Sequence, residues 1–193
     1  MSKSHKSDKE SVVLVIRDEF SGYIAAYPCP KRSSDFVVKS LLALLGPSYY
    51  AHPAIMCKTD CAPELQAACV VLLGFIHEPT LARRWPHNSV IEREIRTLEE
   101  LTCASHLGTG FHIVSDLWPQ RVQYASTVMN VYQPIKDADG NQHRRHLPAS
   151  GKEFEGRQLG LGQLIYVRKD PLNRHKFDAS AVPALFVGWR YDS

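Results

Sequence analysis

Hydrophobic and polar positions follow two periods along the chain, and each period predicts its own kind of element. Ser11–Phe20 is rich in Val and Ile and predicts a strand. Ser21-Gly22 predicts a tight turn into a second strand over Tyr23–Tyr27, which Pro28-Cys29-Pro30 ends. Further on, helical spacing and short apolar runs predict helices over 35–45, 63–73, about 88–106 and about 115–132, and strands over 54–58 and 75–78. This order predicts a mixed sheet flanked by helices, an α/β layer fold.

The pattern of hydrophobic and polar residues changes in the C-terminal third of the chain. Residues 133–152 are polar, contain Asp139-Gly140, and predict a loop or linker. After them, short strands over Gln163–Arg168 and Ala184–Tyr191, punctuated by Gly and Pro, predict a small β module. The polar N-terminus predicts disorder. The expected organisation is a disordered segment, a core, a linker and a β module, over 1–10, 11–132, 133–152 and 153–193.

Composition and charge exclude only a few classes of protein. The chain has 193 residues and a formal net charge of +3, which permits nucleic-acid binding without arguing for it. Its longest apolar runs, such as Val12–Ile16 and Val70–Ile76, are too short to span a bilayer. The polar run after Met1 has no apolar segment of a secretory signal. We therefore expect a chain that is not secreted and has no membrane partner.

The cysteines favour a reducing compartment. They are five in number and fall at positions 29, 57, 61, 69 and 103. The odd count and the spacing fit no disulfide framework. The residue types of Cys57, Cys61, Cys69 and His77 could bind zinc, but no Cys-x-x-Cys pair is present and Cys69 begins an apolar run. We expect no structural zinc in this chain.

Two acidic side chains lie where chemistry is often found. Asp60 follows the predicted strand 54–58, and the carboxyl end of a strand is where open α/β sheets place their sites. Asp60 is equally compatible with a turn or a cap for the helix that begins near Pro63. Glu92 lies in the first turn of the helix that begins near Ser89, and Ser89 with Glu92 has capping-box form. The alternative is a charged helix face with an i, i+4 pair between Glu92 and Arg96.

The two acidic stretches are more specific together than alone. Thirty-one residues separate Asp60 in KTDCAPEL from Glu92 in PHNSVIEREIRTLEE. The first stretch resembles the Thr-Asp-Asn-Gly-x-Glu-Phe block of the integrase catalytic core of retroviruses and retrotransposons. The second resembles that family's Pro-x-x-Asn-Gly-x-x-Glu-Arg-x-x-Arg-Thr-Leu block, in its copia type.

Three other stretches carry the same resemblance, which extends over nearly the whole chain. The second and third strands of the family are similar to VVLVIRDEFSGYIAAYPCPKRSSD, and the helix after its core is similar to DLWPQRVQYASTVMN. The SH3-like module that follows copia cores is similar to LGLGQLIYVRKD with KFDASAVPALFVGWRYDS. The resemblance implies an RNase H-like mixed sheet flanked by helices, whose first and central strand is missing here, and then a small SH3-like β-barrel. It implies that 11–132 is an N-terminally truncated integrase core and that 153–193 is the SH3-like module.

The resemblance also implies a function and a metal site. The chain would be a remnant of a retrotransposon polyprotein whose integrase joins element DNA ends to target DNA by metal-dependent transesterification. Asp60 takes the place of the second catalytic carboxylate and Glu92 that of the third, and both would hold Mg²⁺ or Mn²⁺. Arg93 and Arg96 would contact DNA phosphates, or else form surface ion pairs.

Other implied features are less direct. Arg83 and Arg84, beside Trp85, would belong to a target-DNA loop or to a plain solvated loop. The family implies homo-oligomers that act on DNA, in a cytoplasmic particle and in the nucleus. A non-catalytic remnant that binds DNA or a partner stays an alternative, in which Arg144-Arg145, their flanking histidines and the β module would carry the interaction. Another RNase H-like nuclease or transposase is a further alternative, although the copia-like C-terminal module argues against it.

The first catalytic carboxylate is the main departure from the family. Asp18 precedes Phe-Ser-Gly-Tyr, but its counterpart lies on the second strand and binds no metal. Asp8 lies in the polar N-terminal run, so neither is assigned. Cys61-Ala62 and Ser89 also replace glycine-containing turns of the family, and nothing matches its His-His-Cys-Cys zinc module. With two of three carboxylates, we expect the chain as written to be inactive or nearly so.

Overall fold

The computed structural model describes residues 11–46, 54–60, 62–80, 89–108, 117–136, 139–157, 159–170 and 179–189. Its elements are, in chain order, β1 (Val12–Arg17), β2 (Ile24–Cys29), α1 (Ser34–Leu45), β3 (Met56–Thr59), α2 (Pro63–Gln66), a π-helix (Ala67–Leu72), β4 (Ile76–Pro79), α3 (Ser89–Gly108), α4 (Trp118–Tyr132), β5 (Pro134–Lys136), β6 (Gln142–Arg144), α5 (His146–Ser150), β7 (Leu164–Arg168) and β8 (Ala181–Leu185). The predicted order of hairpin, helix, strand, helix, strand and helix is confirmed for the described residues up to Gly108.

Strands β1 and β2 form the predicted antiparallel hairpin, with Val12 opposite Cys29 and Arg17 opposite Ile24. The second strand runs on through Pro28 and Cys29 instead of ending at Tyr27. Proline is tolerated there because β2 pairs only with β1 in the described residues, so β2 is an edge strand.

Strands β3 and β4 form a parallel pair, from Met56 opposite Ile76 to Thr59 opposite Pro79. The crossover between them is α2 followed by the π-helix, as a parallel pair requires a long connection. Within the crossover, the Leu73 N–H donates to the Ala68 carbonyl at 3.1 Å, a wider turn than an α-helix makes. The predicted helix over 63–73 is therefore α-helical only in its first part.

The described strands form four separate two-stranded sheets and not one mixed sheet. Strands β1 and β3 are not hydrogen-bonded to each other, yet Leu14 and Ile16 pack against the same apolar cluster as Ile55 and Cys57. The buried members of that cluster are Val37, Leu41, Ala68, Cys69 and Phe75. The two pairs of strands thus lie against one helical layer. A single RNase H-like mixed sheet that lacks its first, central strand remains a prediction.

A second core holds β2 against α3 and α4. Its buried members are Ile24, Ala26, Leu98, Val122, Ala125 and Met129. Asn130 of α4 is also buried, and its side-chain oxygen accepts from the Ile24 N–H at 2.9 Å. Its side-chain nitrogen donates to the Ile24 carbonyl at 2.7 Å. Asn130 therefore pairs with the free edge of β2 in the way that a neighbouring strand would.

The described residues within 133–152 form two strands and a short helix, so the prediction of a loop was wrong in its local detail. Strands β5 and β6 pair as an antiparallel hairpin around Asp139-Gly140, and α5 follows directly. Gly140 has φ of 84°, a conformation that glycine adopts without strain. Three-residue strands carry too few alternations for a sequence pattern to reveal them. The domain boundaries themselves stay a prediction.

The C-terminal part contains the antiparallel pair β7 and β8, with Leu164 opposite Leu185. It packs on α4 through aromatic rings, because Trp189 stacks on Tyr124 with ring centroids 5.8 Å apart. Two strands are described here, so the SH3-like barrel remains a prediction. None of the helices in the described ranges has the length and apolar character needed to cross a bilayer.

Candidate functional site

The carboxyl end of β3 is held firmly in place. Thr59 is buried, and its Oγ1 lies 2.8 Å from Nε2 of His77 on β4. The Thr59 carbonyl accepts two hydrogen bonds from Thr80, from its N–H and from its hydroxyl, both at 3.1 Å. These contacts fix where the strand ends. Asp60, the next residue, is exposed at that edge of the parallel pair, as the sequence predicts.

Glu92 lies in the first turn of α3 and is exposed. The helix is oriented by its apolar side, where Leu98 is 2% exposed and packs into the core with Met129 of α4. A carboxylate in the first turn of a helix lies at the positive end of the helix dipole, which is a favourable place for a negative charge. Both predicted catalytic carboxylates are therefore at the solvent-facing ends of the predicted elements.

The basic candidates divide into two groups. Arg93 and Arg96 are exposed on α3. Among the described residues no ion pair joins Glu92 to Arg96, so the i, i+4 alternative is not seen. Arg83 and Arg84, with their neighbour Trp85, lie outside the described residues, as does Asp8.

Asp18 forms hydrogen bonds within the turn between β1 and β2. Its carboxylate accepts from the Ser21 N–H at 2.9 Å and contacts the Ser21 hydroxyl. Its own N–H donates to the Tyr23 carbonyl at 2.9 Å. The described ranges contain no group of three or more His, Cys, Asp or Glu side chains placed to hold a metal. Asp18, Asp60 and Glu92 thus do not form a three-ligand site.

Sequence reasoning missed a buried charge cluster beside α3. Arg145 is 4% exposed, and its Nη2 lies 2.9 Å and 3.0 Å from the two carboxylate oxygens of Glu94. Its Nη1 donates to the Gly22 carbonyl at 3.2 Å, and Arg17 Nε lies 3.9 Å from the same glutamate. The interpretation of Glu94 as solvated surface is wrong, because its side chain pairs with the buried Arg145. Arg145 belonged only to the alternative in which Arg144-Arg145 binds DNA or a partner, and its burial removes its own side chain from such a contact. No local signal marks this pair, since its members are 51 residues apart.

The hairpin, the parallel pair and the packed helices α3 and α4 form an α/β fold that is similar to one found in a retroviral intasome. The chain is similar to a chain in the cryo-electron-microscopy structure of the simian T-cell lymphotropic virus intasome in complex with PP2A regulatory subunit B56 gamma, with a TM-score of 0.53 and 18% identity. The match covers 88% of this chain and 60% of that one, so this chain spans about three fifths of the longer protein. At that identity the likeness shows the fold alone.

Two isolated catalytic cores are also similar, at a TM-score of 0.49 and 17% identity each. The core of BIV integrase matches over 71% of this chain and 84% of that chain. The core of HTLV-2 integrase, solved with magnesium in a dimeric form, matches over 72% and 83% respectively. No protein-family model matches the chain, and no curated protein does.

Proposed function

We propose that this chain carries two carboxylates of a DNA strand-transfer site of the integrase type, in the copia branch. Asp60 would be the second catalytic carboxylate and Glu92 the third. The observation that carries the proposal is their placement, at the end of β3 and in the first turn of α3, within an integrase-like fold. DNA integration is accordingly the function to which we assign the chain.

The donor atoms suit the metal that such chemistry uses. Asp60 and Glu92 are exposed and offer carboxylate oxygens, which are the ligands that Mg²⁺ and Mn²⁺ prefer. When bound, a pair of such ions activates an attacking oxygen and stabilises a leaving one. The protein's own part is to hold the carboxylates in place. For Asp60 this is done by Thr59, whose contacts with His77 and Thr80 anchor the end of the strand.

DNA would be bound next to these carboxylates through α3. Arg93 and Arg96 follow Glu92 in the helix, at the next position and one turn further on, and are exposed. Their guanidinium groups would contact backbone phosphates, which positions DNA without reading its sequence. Arg145 is left out of this surface because it is buried against Glu94. We also propose that the assembly acting on DNA is a homo-oligomer of the chain.

We further propose that the 193-residue chain by itself does not complete the reaction. The two-ion mechanism needs enough carboxylates to hold both ions, and two are assigned. Asp18, the nearest sequence candidate for a third, uses its carboxylate to hold the β1–β2 turn. The chain would then bind metal and DNA but join DNA ends poorly.

Titration with Mn²⁺ tests the proposed site. Asp60→Asn and Glu92→Gln should each weaken binding by about tenfold or more, because a neutral amide oxygen is a poorer ligand for a hard cation. Glu99→Gln is the matched control, an exposed glutamate on the same helix whose change should leave affinity unaltered. Equal affinity in all four proteins would overturn the assignment.

A non-catalytic DNA-binding role is the second candidate. It is favoured by the exposure of Arg93 and Arg96, which form no ion pair in the part of the chain that the structure describes. Such a role predicts DNA binding that is unchanged by chelators and by Asp60→Asn. The strand-transfer proposal predicts instead that Mg²⁺ tightens DNA binding and that Asp60→Asn removes this effect.

A further inference from the structure

Two cysteine thiols meet beneath the end of β3. Cys57 lies on β3 and Cys69 in the π-helix of the crossover, and their Sγ atoms are 3.0 Å apart. Cys69 is 1% exposed, whereas Cys57 is half-buried. A disulfide holds its sulfurs at about 2.05 Å, so the two atoms need to approach by roughly 1 Å. The number and spacing of the cysteines do not predict this contact between two thiols that are twelve residues apart.

The two thiols differ in chemistry. The hydrogen bond from Cys69 lowers the pKa of Cys57, although burial opposes the change. The same hydrogen bond raises the pKa of Cys69, and burial raises it further. Since the thiolate is the reactive form, Cys57 is the nucleophile that an oxidant meets. Cys69 is then the buried partner that resolves the oxidised sulfur.

We propose that Cys57 and Cys69 form a reversible disulfide when the chain is oxidised by a peroxide. The Cys57 thiolate attacks one oxygen of hydrogen peroxide, so that an S–O bond forms, the O–O bond breaks and hydroxide leaves. The Cys69 sulfur then attacks the Cys57 sulfur. An S–S bond forms as the S–O bond breaks, and the departing oxygen takes the Cys69 proton and leaves as water. Two thiols are oxidised by two electrons, and the peroxide is reduced.

This disulfide would fasten β3 to the crossover that follows it. Cys57 lies three residues before Asp60, so the bond would restrain the strand end that carries this carboxylate. It would also close a short loop, which limits the freedom of the unfolded chain and stabilises the folded one. The disulfide proposal stands on the sulfur contact alone, whether or not Asp60 binds a metal.

Peptide mapping after peroxide treatment of the full chain tests the proposal. We expect an intramolecular Cys57–Cys69 cross-link, a mass loss of about 2 Da for two hydrogens and full reversal by dithiothreitol. The oxidised chain should melt higher by roughly 5 °C. Cys57→Ser should lower the rate of thiol loss by about tenfold or more, since it removes the reactive thiolate.

Matched variants separate this pair from the other cysteines. Cys103→Ser changes an exposed thiol outside the pair, and Cys61→Ser changes the cysteine nearest to Asp60 in sequence, so neither should alter the cross-link. Cys69→Ala keeps a small apolar side chain in the core and should stop oxidation of Cys57 at the sulfenic or sulfinic acid. A cross-link that uses Cys61 or Cys103, or an intermolecular one, would overturn the proposal. So would an absence of any cross-link in wild-type chain.

Discussion

Arg145 and Glu94 form an ion pair that is almost entirely removed from solvent, with side-chain exposures of 5% and 16%. The pair joins the start of α5 to the N-terminal part of α3, and through the Gly22 carbonyl it also reaches the β1–β2 turn. Three parts of the chain that are distant in sequence thus depend on one arginine. The polar run around Arg145 therefore helps to hold the fold together.

Glu94→Gln should destabilise the chain by about 3–5 kcal/mol, because it leaves the buried Arg145 guanidinium without a charge partner. Chemical denaturation followed by circular dichroism measures the change. Glu99→Gln, on the exposed side of the same helix, should change stability by no more than about 0.5 kcal/mol. Equal effects of the two substitutions would show that the buried pair does not stabilise the fold.

Removing both partners should cost less than the sum of the single changes. In Glu94→Leu with Arg145→Met neither charge is left buried and unpaired, so the coupling energy of the double-mutant cycle should be about 1–3 kcal/mol. Denaturant unfolding of the four proteins of the cycle gives this number. Strict additivity would contradict direct contact between the two side chains.

Substitution of Asn130 should destabilise the fold as much as substitution of an apolar core residue. Asn130→Asp keeps the shape but removes the amide that donates to the Ile24 carbonyl, and it buries a charge, so a loss of about 2–4 kcal/mol is expected. Gln142→Glu makes the same amide-to-acid change on an exposed side chain and should be nearly neutral. Thermal unfolding distinguishes them, and equal melting temperatures would refute the role of Asn130 at the sheet edge.

The sequence predicted those elements that carry their own local signals. Helix α1 begins after Ser33, whose hydroxyl accepts from the Phe36 N–H, and ends at Gly46, where φ is 69°. Both residues are readable from the sequence because caps act within a few positions. The hairpin β5–β6 was missed because its strands have only three residues each. The π-helix was missed because apolar spacing does not separate it from an α-helix.

The candidate site was predictable in part. Asp60 and Glu92 lie on the elements that the sequence assigned to them, since each follows from a local strand or helix signal. The burial of Arg145 and the contact between Cys57 and Cys69 were not predictable, because both depend on tertiary packing. Asp8, Arg83 and Arg84 lie outside the described residues, and their proposed roles stay predictions.

DNA binding should depend on α3 and on salt. Arg93→Gln and Arg96→Gln should each weaken binding of duplex DNA and should lower the slope of log affinity against log salt by about 1 per lost phosphate contact. Arg157→Gln, a change at an exposed arginine outside α3, is the control. Fluorescence anisotropy over a salt series measures the slopes. Unchanged slopes in both α3 variants would remove this helix from the proposed interface.

Strand transfer by the chain as written should be at background level with Mg²⁺ or Mn²⁺. The physical reason is that two assigned carboxylates fall short of a two-ion centre. The assay incubates element-end oligonucleotides with a target duplex and looks for joined products on a denaturing gel. Joined products that Asp60→Asn abolishes would show that the chain is an active enzyme and that a further ligand has been overlooked.

The sharpest test of whether Asp60 and Glu92 share one metal site is cleavage of the backbone by radicals that are produced at a bound metal ion. Fe²⁺ occupies sites built from oxygen ligands, and with ascorbate and peroxide it produces radicals that cleave nearby backbone. If the two carboxylates share a site, we expect two cuts, one near Asp60 and one near Glu92, and excess Mg²⁺ should suppress both. Asp60→Asn and Glu92→Gln should each remove both cuts together. Cutting at only one position, or a cut near Glu92 that survives Asp60→Asn, would contradict the shared site.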